Sequence, residues 1–311
     1  MEALFLRKRG SNMYIMVVVN KDFEYAGFTL GVESRLHSGE LGQLKMVSKN
    51  PTGGPNKFIP SAIYRHGKDT IREFCIAYLF GENENTSNSE QKHVLLKRLI
   101  AAEKPDLIIS VSTCETTENA QFLPPDGSLN GCVLVGTTFF AKDCRKNDPG
   151  TSSFLDVANP WFAESGSPCP EICSMVNKNQ KIIAVGMDEV PNAPAGKTTV
   201  YAENGARYTS LGVINVMNYD KYVYADAATF EEFAKQTSDG AAVCLETTHA
   251  VVKMAAEAIK GKGFPVLFIS PVVDRYKSFD SDVDGKWGVQ NAVASYNAGV
   301  VVANMLDLYT E

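Results

Sequence analysis

The sequence predicts an α/β fold, a three-layer α/β/α arrangement around a mixed but mostly parallel sheet. Two observations carry this. Short apolar runs rich in β-branched residues recur along the chain. Segments with helical spacing of apolar residues alternate with them. Continuous apolar runs mark strands covered on both faces, and strands alternating with helices imply a parallel sheet with helices on both sides.

The runs come in order. Residues 14–19 (YIMVVV) read as the first strand, bounded by polar residues. The same texture returns at 106–111 (DLIISV), 132–135 (CVLV), 211–216 (LGVINV), 241–245 (AAVCL) and 265–269 (PVLFI). Helices are expected at 93–103, with Leu95, Leu96, Leu99 and Ile100 on one face, at 248–259 and at 292–306. Residues 146–210 differ, with scattered Pro, Gly, Asn and Ser and one strand-like piece at 181–185. They read as a long insertion forming a lid or an oligomer contact. The expected organisation is therefore a flexible leader over 1–12 and one domain over 13–311, with the insertion at about 146–210.

Bulk composition excludes several classes. With 44% apolar and 21% charged residues the chain is neither disordered nor fibrous. A formal net charge of −6, with Arg7-Lys8-Arg9 the one basic cluster, argues against nucleic acid as a partner. No apolar run approaches the roughly 20 residues that span a bilayer, so no membrane association is expected. Seven scattered cysteines read as reduced thiols of a cytoplasmic protein.

Familiar catalytic loops are missing too. Residues 280–285 open like a calcium loop, but Asn291 stands where a bidentate Glu is required. Gly196-Lys-Thr198 copies the end of a phosphate-binding loop, but Pro191 replaces its opening glycine and has no N–H to offer. No histidine pair spaced for zinc, nucleophile elbow or dinucleotide-binding glycine turn is present. No metal site and no cofactor are expected.

What remains is three carboxylates at strand ends. Glu24 lies a few residues past the first strand, Glu246 ends the run 241–245 where a helix begins, and Asp274 follows the run 265–269. Ligands of parallel sheets bind beyond the carboxyl ends of the strands, so these three can converge. The competing reading makes Glu246 a partner of a helix N-terminus and Asp274 a loop acid.

The order of these pieces resembles the nucleoside phosphorylase/hydrolase superfamily. Val243-Cys-Leu-Glu-Thr-Thr-His-Ala-Val-Val-Lys-Met-Ala is similar to the family's Glu-Met-Glu segment, whose last Glu grips the ribose hydroxyls. Val266-Leu-Phe-Ile-Ser-Pro-Val-Val-Asp274 resembles the strand ending in Ile-Ser-Asp, whose Asp protonates the leaving purine. Lys104-Pro-Asp-Leu-Ile-Ile-Ser-Val-Ser-Thr113 looks like the strand entering the Gly-rich nucleophile loop, and 131–143 like the strand that follows. Residues 14–24 resemble the first strand and loop of the methylthioadenosine/adenosylhomocysteine nucleosidases, which puts Glu24 at their water-activating position. Asp220-Lys-Tyr-Val223 is similar to the base-stacking segment, and 293–306 fits the closing helix.

The resemblance implies cleavage of a purine nucleoside. It makes Asp274 the general acid, Glu24 the base for water, and Glu246 with Leu245, Thr113, Tyr222 and Val223 the substrate-binding set. Water, or inorganic phosphate, would be the co-substrate, the ligand a small-molecule nucleoside, and the assembly a homodimer or higher homo-oligomer. Three departures stand out. The Gly-rich loop reads Ser112-Thr-Cys-Glu-Thr-Thr117, Ser110 stands where hexameric phosphorylases carry a phosphate-binding Arg, and Val273 replaces the Ser of Ile-Ser-Asp. Hydrolysis is favoured, because an acid matches the water-activating position and that Arg is absent. The alternatives are a phosphorylase borrowing Arg35, Arg65 or Arg72 from a neighbouring subunit, and a non-catalytic, storage-type member of the fold.

Overall fold

Strand β1 (Tyr14–Val19) is buried from Ile15 onward, with β4 (Asp69–Cys75) on one side and β5 (Leu107–Val111) on the other, both parallel to it. This is the environment its unbroken apolar run requires. The computed structural model describes residues 12–50, 58–80, 88–116, 129–143, 161–164, 169–191, 198–202, 209–214, 242–275 and 286–309. The leader through residue 11, Tyr222, Val223 and the loop 280–285 lie outside the described residues, as does all of the 192–197 segment.

Among the described residues the sheet has 13 strands in the order β2-β3-β4-β1-β5-β13-β6-β12-β11-β8-β9, with β7 joined to β10 (Val200–Ala202) and β13. Most pairings are parallel; the antiparallel ones lie at the two edges and around β6 (Cys114–Thr116) and β7 (Val133–Gly136). One edge is the meander β2 (Leu44–Lys49), β3 (Ala62–His66) and β4. The other carries β12 (Ala242–Glu246), β11 (Thr209–Ile214), β8 (Thr138–Asp143) and β9 (Trp161–Glu164). The mixed, mostly parallel sheet expected from the sequence is present.

Helices cover both faces. On one, α1 (Asp22–Ser38) packs against α7 (Trp287–Tyr309), beside α4 (Pro170–Lys178) and α5 (Gln180–Ile183). On the other, α3 (Ser89–Glu103) packs against α6 (His249–Lys260). Helix α2 (Ile76–Leu79) is a single turn after β4. The α1–α7 contact is a backbone approach. A Cβ on Gly31 would fall 2.0 Å from the Tyr296 carbonyl oxygen, and one on Gly299 2.0 Å from that of Phe28. Glycine at both positions lets α1 lie flat on α7, which fixes where its first turn, and Glu24, points.

Strand β13 (Val266–Arg275) is the structural pivot. Its first residues run parallel to β5, Phe268–Pro271 run antiparallel to β7, and its last residues run parallel to β6. A register shift between Val272 and Asp274 marks an irregularity of the kind that re-aims a side chain at a sheet's end. Asp274 is thus part of a buried strand, and its reading as a loop acid is corrected.

One further expectation changes. The piece at 181–185 is not a strand; residues Gln180–Ile183 form helix α5. Within the expected insertion, α4 supplies Ile172, Cys173 and Val176 to the same cluster as β1 and α7. Asparagines of α7 pin this segment. Asn304 Nδ2 donates to the carbonyls of Ile183 and Val185 at 2.9 and 3.0 Å, and Asn297 holds Asp188 through both its amide groups.

Candidate active site

A cavity of about 370 Å³ opens beyond the carboxyl ends of β1, β5, β12 and β13. Its volume is in the range of small-molecule sites, about 300–1,000 Å³. Glu24, Thr113, Leu245, Glu246 and Asp274 all line it, joined by Asn20, Lys21, Phe23, Ser112, Cys114, Glu115, Thr247, Val273 and Asn291. The three carboxylates singled out in the sequence therefore meet. Tyr222 and Val223, expected to stack on a base, lie outside the described residues.

Glu24 stands in the first turn of α1 and not in a loop. An acidic residue there is favoured by the helix dipole, and its Oε2 accepts from the Lys21 N–H at 2.9 Å. Oε1 accepts from the Thr113 N–H at 3.0 Å and its hydroxyl at 2.5 Å. Three of roughly four lone-pair sites of an ionised carboxylate are thus committed to the protein. That locks the carboxylate between the loops following β1 and β5, at the wall of the cavity.

Glu246 closes β12 and performs two tasks. Its Oε2 accepts from the N–H groups of Thr248, in a very short contact, and of His249 at 2.8 Å, satisfying the open end of α6. The same side chain lines the cavity. The helix-partner reading of Glu246 holds alongside its place in the site.

Sequence reasoning missed four groups. Glu115 lies on β6, directly between Asp274 of β13 and Leu245 of β12 in register. It lines the cavity, and burial raises its carboxyl above the ordinary range. The signal was the acid occupying a loop expected to be glycine. Lys92, unremarked in the sequence among polar helix positions, donates from α3 to the Thr247–Thr248 turn behind Glu246. His249 is wholly buried, stacked on Phe268, with Nδ1 2.8 Å from Ser110 Oγ and Nε2 2.8 Å from Ser270 Oγ. Burial, opposed by the Glu246 charge and aided by that of Lys92, lowers its pKa, and a neutral ring fits between two hydroxyls. Asn291, read only as the wrong ligand of a calcium loop, faces the cavity from α7.

Ser110 is fully buried and holds His249. Among the described residues, no group of His, Cys, Asp and Glu is arranged to hold a metal ion, and no helix is long and apolar enough to cross a membrane.

No protein-family model and no curated protein matches this sequence. Solved structures do match, across almost the whole chain. The apo form of the 5′-methylthioadenosine nucleosidase of Arabidopsis thaliana superposes with a TM-score of 0.55 at 13% identity, covering 95% of this chain and 96% of its own. A putative 5′-methylthioadenosine/S-adenosylhomocysteine nucleosidase from Borrelia burgdorferi, bound to adenine, gives 0.55 at 11% identity, covering 94% and 99%. A futalosine hydrolase mutant of Helicobacter pylori gives 0.51 at 10% identity, covering 95% and 99%. The chain has the fold of these solved structures.

Proposed function

We propose that this chain hydrolyses the N-glycosidic bond of a purine nucleoside. The observation that carries the reading is the convergence of Glu24, Glu246 and Asp274, from α1, β12 and β13, on one cavity beyond the strand ends. Loss of a purine from C1′ passes through an oxocarbenium-like state in which the base gains electron density and the sugar becomes positive. Asp274, 4% exposed, delivers a proton to N7 of the departing base. Glu246 holds the ribose hydroxyls. Glu24 takes a proton from the attacking water, while Thr113 fixes the orientation of that carboxylate. An acid on one side of the bond and a base on the other is the logic of inverting glycosidases.

Water is favoured over phosphate as the nucleophile. A phosphate anion entering this cavity meets Glu24 and Glu246, with Lys21 the only cation among the described lining residues. Ser110 is turned to His249. Arg35 is committed to Glu40 and Asn304, and Arg72 to Glu103. On this reading no cofactor is needed, the ligand is a free nucleoside in the cytoplasm, and the chain works as a homodimer or higher homo-oligomer.

The test is an assay of adenosine, inosine, methylthioadenosine and adenosylhomocysteine, each with and without phosphate. Release of free base and free sugar, independent of phosphate, is expected for at least one of them. Accumulation of a sugar 1-phosphate that depends on added phosphate would make the chain a phosphorylase. Tight binding of a nucleoside without turnover would make it a non-catalytic binder.

A further inference from the structure

Among the buried charged groups that the proposed reaction leaves unused, Lys92 stands behind Glu246. Lys92 projects from α3 and is 1% exposed. Its Nζ donates to the Thr248 hydroxyl at 3.0 Å and to the Thr247 carbonyl at 3.3 Å. Those two residues form the turn that joins β12 to α6, and the N–H of Thr248, with that of His249, holds Oε2 of Glu246. The chain of contacts therefore runs from an ammonium on α3, through a two-residue turn, to a carboxylate at the cavity.

Burying an ammonium costs free energy that an apolar side chain of the same length would not. Here the cost is visible in the titration of the group. Burial first, then the nearby charge of Lys21, pulls Lys92 down to about 7, while Glu246 and Glu24 act in the opposite direction. The groups facing it are Lys21 ahead of α1, Glu24 on α1, Glu246 on β12 and His249 on α6. Core packing alone would be served better by Met or Leu, and the polar end of Lys92 makes both its hydrogen bonds to the turn behind Glu246.

We propose that Lys92 is a positioning residue for Glu246: by clamping the Thr247–Thr248 turn to α3 it fixes the amide donors that orient the carboxylate, and so sets the affinity of the site for the ribose of its nucleoside. This rests on the nucleosidase reading, because it takes Glu246 as the group that holds the sugar. The ligand class affected is specific. A purine nucleoside needs the Glu246 contact, and the free base does not.

The experiment measures binding of methylthioadenosine, of adenosine and of adenine by calorimetry, to wild type and to Lys92→Met, with thermal melts of both proteins. To keep turnover from consuming the nucleosides, the measurements are made in an Asp274→Asn background. Lys92→Met is expected to weaken nucleoside binding about tenfold, as expected on losing a charged hydrogen-bonding partner. Adenine binding should stay within about twofold, and the melts should show a cooperatively folded variant whose melting temperature is lowered by the loss of one partner of a buried polar cluster. Lys92→Gln, which keeps a donor, should recover part of the loss, and it carries the same comparison if Lys92→Met does not fold. Equal weakening of base and nucleoside, or no weakening of either, overturns the assignment of Lys92. If the parent protein binds adenine but no nucleoside, or binds none of the three, the nucleosidase reading itself falls and the inference falls with it.

Discussion

The Thr113 hydroxyl and backbone N–H both donate to Oε1 of Glu24, at 2.5 and 3.0 Å, across 89 positions of sequence. This ties the loop after β5 to the first turn of α1 and leaves the carboxylate one orientation at the cavity wall. Thr113→Val keeps the shape and the N–H but removes the hydroxyl. We expect kcat to fall about tenfold with KM nearly unchanged, because a misaimed base weakens an interaction made in the transition state. Steady-state kinetics on the best nucleoside check this. A KM effect without a kcat effect would move Thr113 from base orientation to substrate binding.

Glu73, outside the cavity lining, supplies a pH signature. It is wholly buried on β4 under α1, with the hydroxyls of Tyr64 at 2.9 Å and Thr29 at 3.4 Å donating to it. Burial raises its carboxyl from 4.5 to about 7, with those hydrogen bonds opposing. Its folded pKa lies above the unfolded value, so the native state holds the extra proton and stability falls as pH rises from about 4.5 to 7. The group's share of that fall is about 3 kcal/mol. Glu73→Gln cannot ionise, so the wild-type curve should drop relative to the variant's across that window and run parallel above it. Urea melts at half-unit pH steps measure the difference.

The sandwich of Ser110, His249 and Ser270 should behave oppositely. His249 has a lowered pKa, so its contribution is full above the ordinary histidine value near 6.5 and is lost as pH falls below it. Ser270→Ala leaves one ring nitrogen buried without its hydroxyl, and should cost about 1–3 kcal/mol at pH 7. It should also loosen the start of α6, where the His249 N–H meets Glu246. Denaturant melts and amide exchange at residues 248–252 test both expectations.

Gly31 tests the packing that aims α1. With the Tyr296 carbonyl oxygen 2.0 Å from a Cβ there, Gly31→Ala must push α1 off α7. We expect a loss of about 1–3 kcal/mol, together with a fall in activity, because Glu24 rides on the same helix. Gly39, where an added Cβ meets nothing within 4 Å, lies at φ +70°. Alanine there should lose only the backbone preference, about 1 kcal/mol, and spare activity.

Much of the strand and helix pattern was legible because buried parallel strands announce themselves. Residues 14–19, 106–111, 132–135 and 265–269 were read from continuous apolar runs, and each falls on β1, β5, β7 or β13. The meander β2–β4 was not, because its edge strands alternate with charged residues such as Lys45 and Arg65 and offer no such run. Helix α4 escaped notice because its buried face is only Ile172, Cys173 and Val176, set between polar neighbours. At the site, Glu24, Glu246 and Asp274 were legible as acids at strand ends. Lys92, Glu115 and His249 were not. A buried lysine or histidine looks like any surface residue until the fold places partners such as Thr248 or Ser270 against it.

The account turns on Asp274 as the proton donor to the leaving purine, and the most direct test is its conversion to Asn. Asparagine keeps the size and can still donate a hydrogen bond, but it cannot transfer a proton. Single-turnover release of base from the best purine nucleoside, with binding followed in parallel, is the measurement. We predict that Asp274→Asn slows release about 10²- to 10⁴-fold while affinity stays within a few-fold. Release at the wild-type rate would contradict the account, and the role given to the end of β13 would have to be withdrawn.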